Sequence, residues 1–345
     1  MASNLALITG GSGYFGSLLR DLLQDRGQAV RVFDLADAED RKSEIGFVRG
    51  DIRDATSVAK AIAGCDTVYH CVAQVPLAKD PALFHSVNVQ GTETLLRAAL
   101  AARVRKVIYV SSSAIFGVPK ANPVTEATTP TPGEAYGRAK LAGETLCQQF
   151  VAQGLDVSII RPRTIMGHGR LGIFQILFEW IREGYNVPVF GRGDNVYQFV
   201  HADDLAEASL LAAARPGAAI YNCGAAEYGT MRAALEHLCA HAGTGSRVRG
   251  IPMQPAIWMM NLTSALGLSP LGAYHAMMYG RSLYFDIAKA QAELNWQPRF
   301  STNQMFVQSY EWYLRNREII LRSGGASHHR SAVKQGLLKV VKHLL

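Results

Sequence analysis

Tyr136 and Lys140 stand four residues apart in Tyr136-Gly137-Arg138-Ala139-Lys140, a spacing that puts a phenol and an ammonium on one face of a helix. Upstream, the apolar run Lys106 to Val110 closes on three hydroxyls, Ser111-Ser112-Ser113. This combination suits oxidation of a secondary alcohol carbon. The hydroxyl proton must go to a base, and a phenol with a reference pKa of about 10 is a poor one at neutral pH unless positive charge lowers it. Lys140 would supply that charge and hold a ribose, while a serine hydroxyl would hold the substrate oxygen as it becomes a carbonyl. One Tyr-x-x-x-Lys match in a chain of 345 residues arises by chance about as often as not. Its place gives it weight, because it opens the helix after the strand that ends in the serines.

Such chemistry needs a hydride acceptor, and the N-terminal residues carry a pattern for holding one. Thr9-Gly10-Gly11-Ser12-Gly13-Tyr14-Phe15-Gly16 follows the apolar run Leu5 to Thr9 and opens a helix with apolar residues at Phe15, Leu18, Leu19, Leu22 and Leu23. Gly10, Gly13 and Gly16 let backbone approach a pyrophosphate, to which a helix N-terminus offers free N–H groups and positive dipole; a plain tight turn is the alternative. The first gap is one residue longer than in the G-x-G-x-x-G pattern. Tyr14 and Phe15, inside the pattern, count with the cofactor residues. Asp34 closes the next strand run, Ala29 to Phe33, where a carboxylate accepts both ribose hydroxyls and repels a 2′-phosphate, favouring NAD over NADP. Arg31 and Arg41 are near enough in sequence to argue the other way, and a loop carboxylate is the bland reading. Asp51-Ile52, after the run Gly46-Phe47-Val48, would hold the adenine edge.

The elements that must position these groups read as alternating strands and helices. Helix patterns at Ala55 to Ala63, Leu83 to Ala102 and Ala135 to Gln153 separate strand runs at Thr67 to Cys71, Lys106 to Val110 and Val157 to Ile160. This predicts an α/β fold, a doubly wound parallel sheet covered on both faces, whose carboxyl strand ends gather around the ligand. A proline-rich loop is expected at Val118 to Gly133, and beyond Arg161, where the texture of the chain changes, the expected elements are a helix Ile173 to Glu183, a strand Val187 to Phe190, a helix Ala202 to Ala214 and a strand Ala219 to Asn222. Residues 250–280 contain no Asp, Glu, Lys or Arg. Pro252, Pro255, Pro270 and Asn261 interrupt them, so they do not form a membrane span and read as the apolar wall or lid of a substrate pocket, or as ordinary core. In the tail, Val333, Leu337, Val340, Val341 and Leu344 share one helical face, with Lys334, Lys339 and Lys342 around it. Such a tail packs on its own domain or a second subunit, or lies peripherally on an anionic membrane. The expected division is a cofactor domain at 1–165, also receiving segments near 195–222, a smaller C-terminal substrate-binding α/β region at 166–194 and 223–323, and the tail at 324–345.

Composition sets the outer limits. Hydrophobic residues make up 48% and charged residues 18%, which excludes a disordered or fibrous chain, and the length suggests roughly two domains' worth of material at about 150 residues each. Lys plus Arg exceed Asp plus Glu by 35 to 28, a formal charge of +7. No basic run or aromatic-interleaved stripe is present, so the expected partner is a small molecule and not nucleic acid. Cys65, Cys71, Cys147, Cys223 and Cys239 are odd in number and lack C-x-x-C spacing, which predicts thiols in a reducing compartment, no disulfide framework and no metal site. Leu5 to Thr9 runs directly into glycines, with no charged lead and apolar signal core, so the expected location is cytoplasmic.

TGGSGYFG, Asp34, YVSSSAIFG, YGRAK and YQFVHADDLA together resemble the extended short-chain dehydrogenase/reductases, the NAD-dependent epimerase/dehydratase family, over roughly residues 4 to 320. The resemblance implies a Rossmann domain with a smaller substrate domain. It also implies a catalytic Ser112/Tyr136/Lys140 set, with Ser112 favoured over Ser113 by counting back from Gly117. His70 to Ala73, Asn88 and Pro162 would line the cofactor, and Ser113, Thr164 and Tyr197 would face the substrate. A homodimer through the helices at Leu83 to Ala102 and Ala135 to Gln153 follows from the same likeness. Departures narrow the reaction. Ser113-Ala114 stand where the family's dehydratases carry Asp-Glu, which disfavours dehydration. Tyr197-Gln198 and Thr164 replace the Arg-Asp and Asn that often contact nucleotide sugars, and Arg163, Arg170 and Arg192 would compensate or be solvated surface. The uncharged stretch resembles the 3β-hydroxysteroid dehydrogenase branch. His168 and His201 are candidate acids or bases. The leading expectation is a nucleotide-sugar 4-epimerase working through a transient ketone. A net dehydrogenase or reductase of an apolar hydroxy or keto substrate is the rival, and a non-catalytic NAD-binding regulator the third reading.

Overall fold

The computed structural model describes residues 5–74, 81–170, 174–265, 278 and 280–322. The basic tail and residues 266–277 of the uncharged stretch lie outside them. The strands in chain order are β1 (Leu5–Thr9), β2 (Ala29–Asp34), β3 (Gly46–Arg49), β4 (Thr67–His70), β5 (Lys106–Val110), β6 (Val157–Pro162), β7 (Thr164–Met166), β8 (Val187–Phe190), β9 (Val196–Tyr197), β10 (Phe199–His201), β11 (Ala219–Cys223), β12 (Gly229–Thr230) and β13 (Val248–Ile251). The helices are α1 (Tyr14–Asp25), α2 (Ala55–Ile62), α3 (Pro81–His85), α4 (Gly91–Ala101), α5 (Ala135–Val151), α6 (Phe174–Arg182), α7 (Ala202–Ala214), α8 (Met231–Ala242), α9 (Met253–Ala265), α10 (Ala288–Leu294) and α11 (Thr302–Arg322).

Seven strands form one sheet in the order β11-β6-β5-β4-β1-β2-β3, and every pairing in it is parallel. The order reverses between β1 and β4, which makes that point the topological switch where a doubly wound sheet opens a crevice at its carboxyl ends. Strand β5, Lys-Val-Ile-Tyr-Val, is buried along its whole length, as a strand covered on both faces must be. Leu19 and Leu23 of α1, Leu205 and Ala212 of α7, Leu294 of α10 and Trp296 belong to one core. Val58 and Ile62 of α2, Leu95 and Leu96 of α4, and Cys147 and Phe150 of α5 belong to the other.

A third core joins Phe178 and Trp180 of α6, Leu235 and Leu238 of α8, and Phe306, Tyr310 and Tyr313 of α11. The short parallel pairs β7 with β10 and β8 with β13, and the antiparallel pair β9 with β12, complete this part. Helix termini follow capping chemistry: Asp54 accepts from the N–H groups of Thr56 and Ser57, and Thr230 accepts from that of Ala233. In the uncharged stretch, α9 exposes Trp258, Met259 and Leu262, whereas Met278 is buried in the first core. No described helix is long and apolar enough to cross a membrane, and all five cysteines are free.

Candidate active site

The glycine turn closes tightly on itself. A Cβ on Gly16 would lie 2.1 Å from the Gly10 carbonyl oxygen, so only glycine lets α1 begin this close to the end of β1. Gly13 caps α1 with no side-chain hydrogen bond, which leaves the first N–H groups of the helix for an anion. Asp34, at the end of β2, accepts from the Ser12 N–H at 3.0 Å and the Leu35 N–H at 2.8 Å. Burial raises its pKa, and those two N–H groups work against the rise. Arg31 donates to the Ala61 and Ala63 carbonyls and Arg41 pairs with Asp37, so both arginines that argued for NADP are engaged elsewhere. A glycine cradle too close for any side chain, an uncapped helix N-terminus and a carboxylate beside them fit a dinucleotide with free ribose hydroxyls.

Around this turn, Asp51 is paired with Arg53, and Ile52 is buried. Asn88 lies in five residues of wider π winding, Ser86–Gln90, between α3 and α4, and such bulges aim a side chain out of register. Its amide accepts from the Gln74 N–H at 2.7 Å and donates to the Gln74 carbonyl at 3.0 Å, pinning the loop that carries Ala73. Pro162 ends β6 in register with Cys223. The side chain of His70, which the likeness would set along the cofactor, is turned into the fold. Its ring is buried between Thr9 and Thr92, at 2.7 and 3.0 Å, and burial, aided by the Lys140 charge, lowers it to about 3.

Tyr136 and Ser112 meet at the carboxyl end of β5. Ser112 caps the 3-10 turn Ser113–Phe116 by accepting from the Ala114 N–H. Glu134 caps α5 through the N–H groups of Tyr136 and Gly137. A Cβ on Gly137 would lie 2.4 Å from the Ala114 carbonyl oxygen, so this glycine brings the first turn of α5 against the serine turn. Burial pushes the Tyr136 phenol up to about 12, with the Ser112 side-chain hydrogen bond opposing it, the Glu134 charge adding to it and the Arg170 charge opposing it. Lys140 is not the group that lowers this phenol here. Its Nζ is buried, donates to the Val110 carbonyl at 2.8 Å and lies 5.1 Å from the centre of the Tyr109 ring, and burial brings it down to about 8. Below them, Glu144 accepts from Ser111 and from both Nε and Nη2 of Arg161, tying α5 to β5 and β6. Sequence reasoning missed Glu134, Glu144 and the role of Gly137; an acidic residue just before a helix pattern was the available signal for the first alone.

On the far side of Ser112, Ser113 accepts from Arg163 Nη1 at 2.7 Å, and Thr164 and Tyr197 share a hydrogen bond of 2.9 Å. Gln198 is buried, accepting from the Phe285 N–H and donating to the Ala225 carbonyl, a structural staple. Of the three arginines singled out from sequence, Arg163 is buried, Arg170 lies over the Tyr14 ring, and Arg192 is a surface residue paired with Asp194. His168, His201 and Asp203 bring ligand-type atoms within 4.8 Å of one another. His201 Nδ1 accepts from the Asp203 N–H and Nε2 meets Gln308, so both ring nitrogens already serve the start of α7 and its packing.

The sequence pattern of the NAD dependent epimerase/dehydratase family matches residues 6–224. A 3 beta-hydroxysteroid dehydrogenase/Delta 5-->4-isomerase of Mycobacterium tuberculosis is 30% identical over 89% of this chain and 90% of its own length. A UDP-glucose 4-epimerase of Mycolicibacterium smegmatis is 28% identical over 89% of this chain and 97% of its own. The crystal structure of a UDP-glucose 4-epimerase of Thermotoga maritima, solved with UDP-glucose, superposes with a TM-score of 0.77 at 24% identity, covering 91% of this chain and 99% of that one.

Proposed function

Because this chain belongs to the NAD-dependent epimerase/dehydratase family, we propose that it is a nucleotide-sugar 4-epimerase, acting on a secondary alcohol carbon through a transient ketone. The observation that carries the chemistry is the Tyr136 phenol buried against Ser112 at the sheet's carboxyl end. Gly10, Gly13, Gly16 and Asp34 would hold NAD, which when bound supplies the acceptor for the hydrogen leaving the carbon with its electron pair. Tyr136 takes the hydroxyl proton, and Ser112 donates to the oxygen as it becomes a carbonyl. Lys140, held at the Val110 carbonyl one helical turn along α5 from Tyr136, would hold a ribose of the bound dinucleotide. The same groups run in reverse when hydrogen returns to the opposite face of the ketone. Ser113-Ala114 offer no acid pair for elimination of water.

The substrate side supports a polar ligand. Ser113, Arg163, Thr164 and Tyr197 present hydroxyls and a guanidinium, groups that match a sugar and anionic oxygens better than a hydrocarbon. A second reading, a net dehydrogenase or reductase of an apolar alcohol or ketone, draws support from α9, whose exposed Trp258, Met259 and Leu262 would suit a lipidic substrate.

The two differ in what happens to the cofactor. An epimerase must keep it between half-reactions, whereas a dehydrogenase must release it. Denaturing freshly purified protein and quantifying the released nucleotide by chromatography and mass spectrometry tests this. Near-stoichiometric NAD is the expected result. Empty protein that binds NAD reversibly would replace the epimerase reading with the dehydrogenase one, and failure to bind either dinucleotide would overturn both.

A further inference from the structure

Arg163 stands just past β6, 1% exposed. Its backbone N–H donates to the Cys223 carbonyl and its Nη1 to Ser113 Oγ at 2.7 Å. Its Nε and Nη2 are buried and have no hydrogen-bond partner among the described residues. Those two nitrogens share one edge of the planar guanidinium, the edge that pairs with both oxygens of a carboxylate at once. The other buried arginines of this fold show what such a group requires. Arg161, two residues earlier, spends the same Nε/Nη2 edge on Glu144, and Arg20 pairs with Asp21 and Asp40. Arg163 forms no ion pair among the described residues. The rings of Tyr197 and Phe285, centred 4.7 and 5.6 Å from its Cζ, soften the burial of charge but offer the N–H groups no acceptor. A buried cation with a free bidentate edge is costly to the fold, and it is held one residue from Ser112, the hydroxyl that meets Tyr136.

We propose that the free edge of Arg163 receives a carboxylate on the sugar, so that the substrate is a nucleotide-linked uronic acid. This rests on the nucleotide-sugar reading above. In a hexuronate the carboxylate sits on the carbon next to the one bearing the 4-hydroxyl. A site that holds the reacting oxygen at Ser112 and Tyr136 would therefore need its carboxylate receptor close by, and Ser113 links Arg163 to that place. The hydroxyl pair of Thr164 and Tyr197 follows Arg163 directly in the chain and through its ring contact, giving the sugar further polar neighbours.

Calorimetric titration of NAD-loaded Tyr136→Phe protein, which binds without turnover, with UDP, UDP-glucose and UDP-glucuronate tests the assignment. UDP-glucuronate is expected to bind at least about tenfold more tightly than UDP-glucose, as befits a charge-assisted bidentate pair. Adding Arg163→Met should weaken UDP-glucuronate at least about tenfold more than it weakens UDP-glucose, and Arg163→Lys, which keeps the charge without the paired edge, should restore only part. Equal affinity for the two sugars in protein with Arg163 intact overturns the proposal, whether or not the substituted forms fold. Equal weakening of both sugars by Arg163→Met also overturns it, assigning the edge to the diphosphate. If UDP binds and the sugars are not distinguished, this inference alone fails. If neither UDP nor either sugar binds, the nucleotide-sugar reading fails and takes the inference with it.

Discussion

At the residue scale, the site depends on opposing effects on one phenol. Burial raises Tyr136 to about 12, and Ser112 and Arg170 pull against it. Tyr136→Phe removes the proton acceptor and keeps the ring, so turnover should fall by about 10²- to 10⁴-fold, the usual worth of a positioned acid or base, with an unchanged circular dichroism spectrum. The phenolate is the basic form, so the oxidising half-reaction should speed up as pH rises toward the phenol's pKa. Arg170→Gln removes a charge that favours the phenolate, so the phenol should titrate at higher pH than in the native protein. Ultraviolet difference titration of the phenolate band checks the direction; an unmoved or lowered titration would show that Arg170 does not act on Tyr136.

At the element scale, cofactor choice sits at the carboxyl end of β2. The structure holds Asp34 by the N–H groups of Ser12 and Leu35, so its carboxylate faces the glycine turn whatever ligand arrives. Asp34→Asn should cost about tenfold in NAD affinity, the worth of one charge-assisted hydrogen bond, and narrow the preference over NADP, read by fluorescence titration with both reduced dinucleotides. This element was legible in sequence because a strand run closing on a carboxylate is a local signal. The neighbouring π turn at Asn88 was not. Its apolar spacing within Leu83 to Ala102 reads as plain helix, and one inserted residue in the winding leaves no mark in composition.

At the scale of the whole molecule, a carboxylate ties the end of α6 to α11. Glu179 accepts from Arg182, Tyr313 and Arg317. Burial works to raise its pKa, but the hydrogen bonds from Arg317, Arg182 and Tyr313 outweigh it and bring it to about 2. A carboxyl depressed in the folded state stabilises the fold fully above its unfolded pKa, about 4.3. That stability is lost as pH falls from there through about 2. Glu179→Gln should therefore cost about 1–3 kcal/mol at neutral pH and flatten the acid limb of the stability curve, measured by urea unfolding at a series of pH values. An acid limb as steep in the variant as in the native protein would place the acid sensitivity elsewhere.

The sequence alone determined the alternation of strands and helices, the glycine turn, Asp34 and the placing of Tyr136 and Lys140 on one helix, because each rests on spacing within a single element or turn. Tertiary structure decided what crosses between elements. It set Ser112 against Tyr136, turned Lys140 to the Val110 carbonyl, and buried His70 and His201 in structural roles. It joined Glu144 to Arg161 while leaving the matching edge of Arg163 without a partner among the described residues. The two arginines stand two residues apart and read alike in the chain. Their difference is a matter of which side chain lies opposite when β5, β6, β9 and α5 are brought together, and hydrogen-bond partners across such distances have no local pattern to announce them.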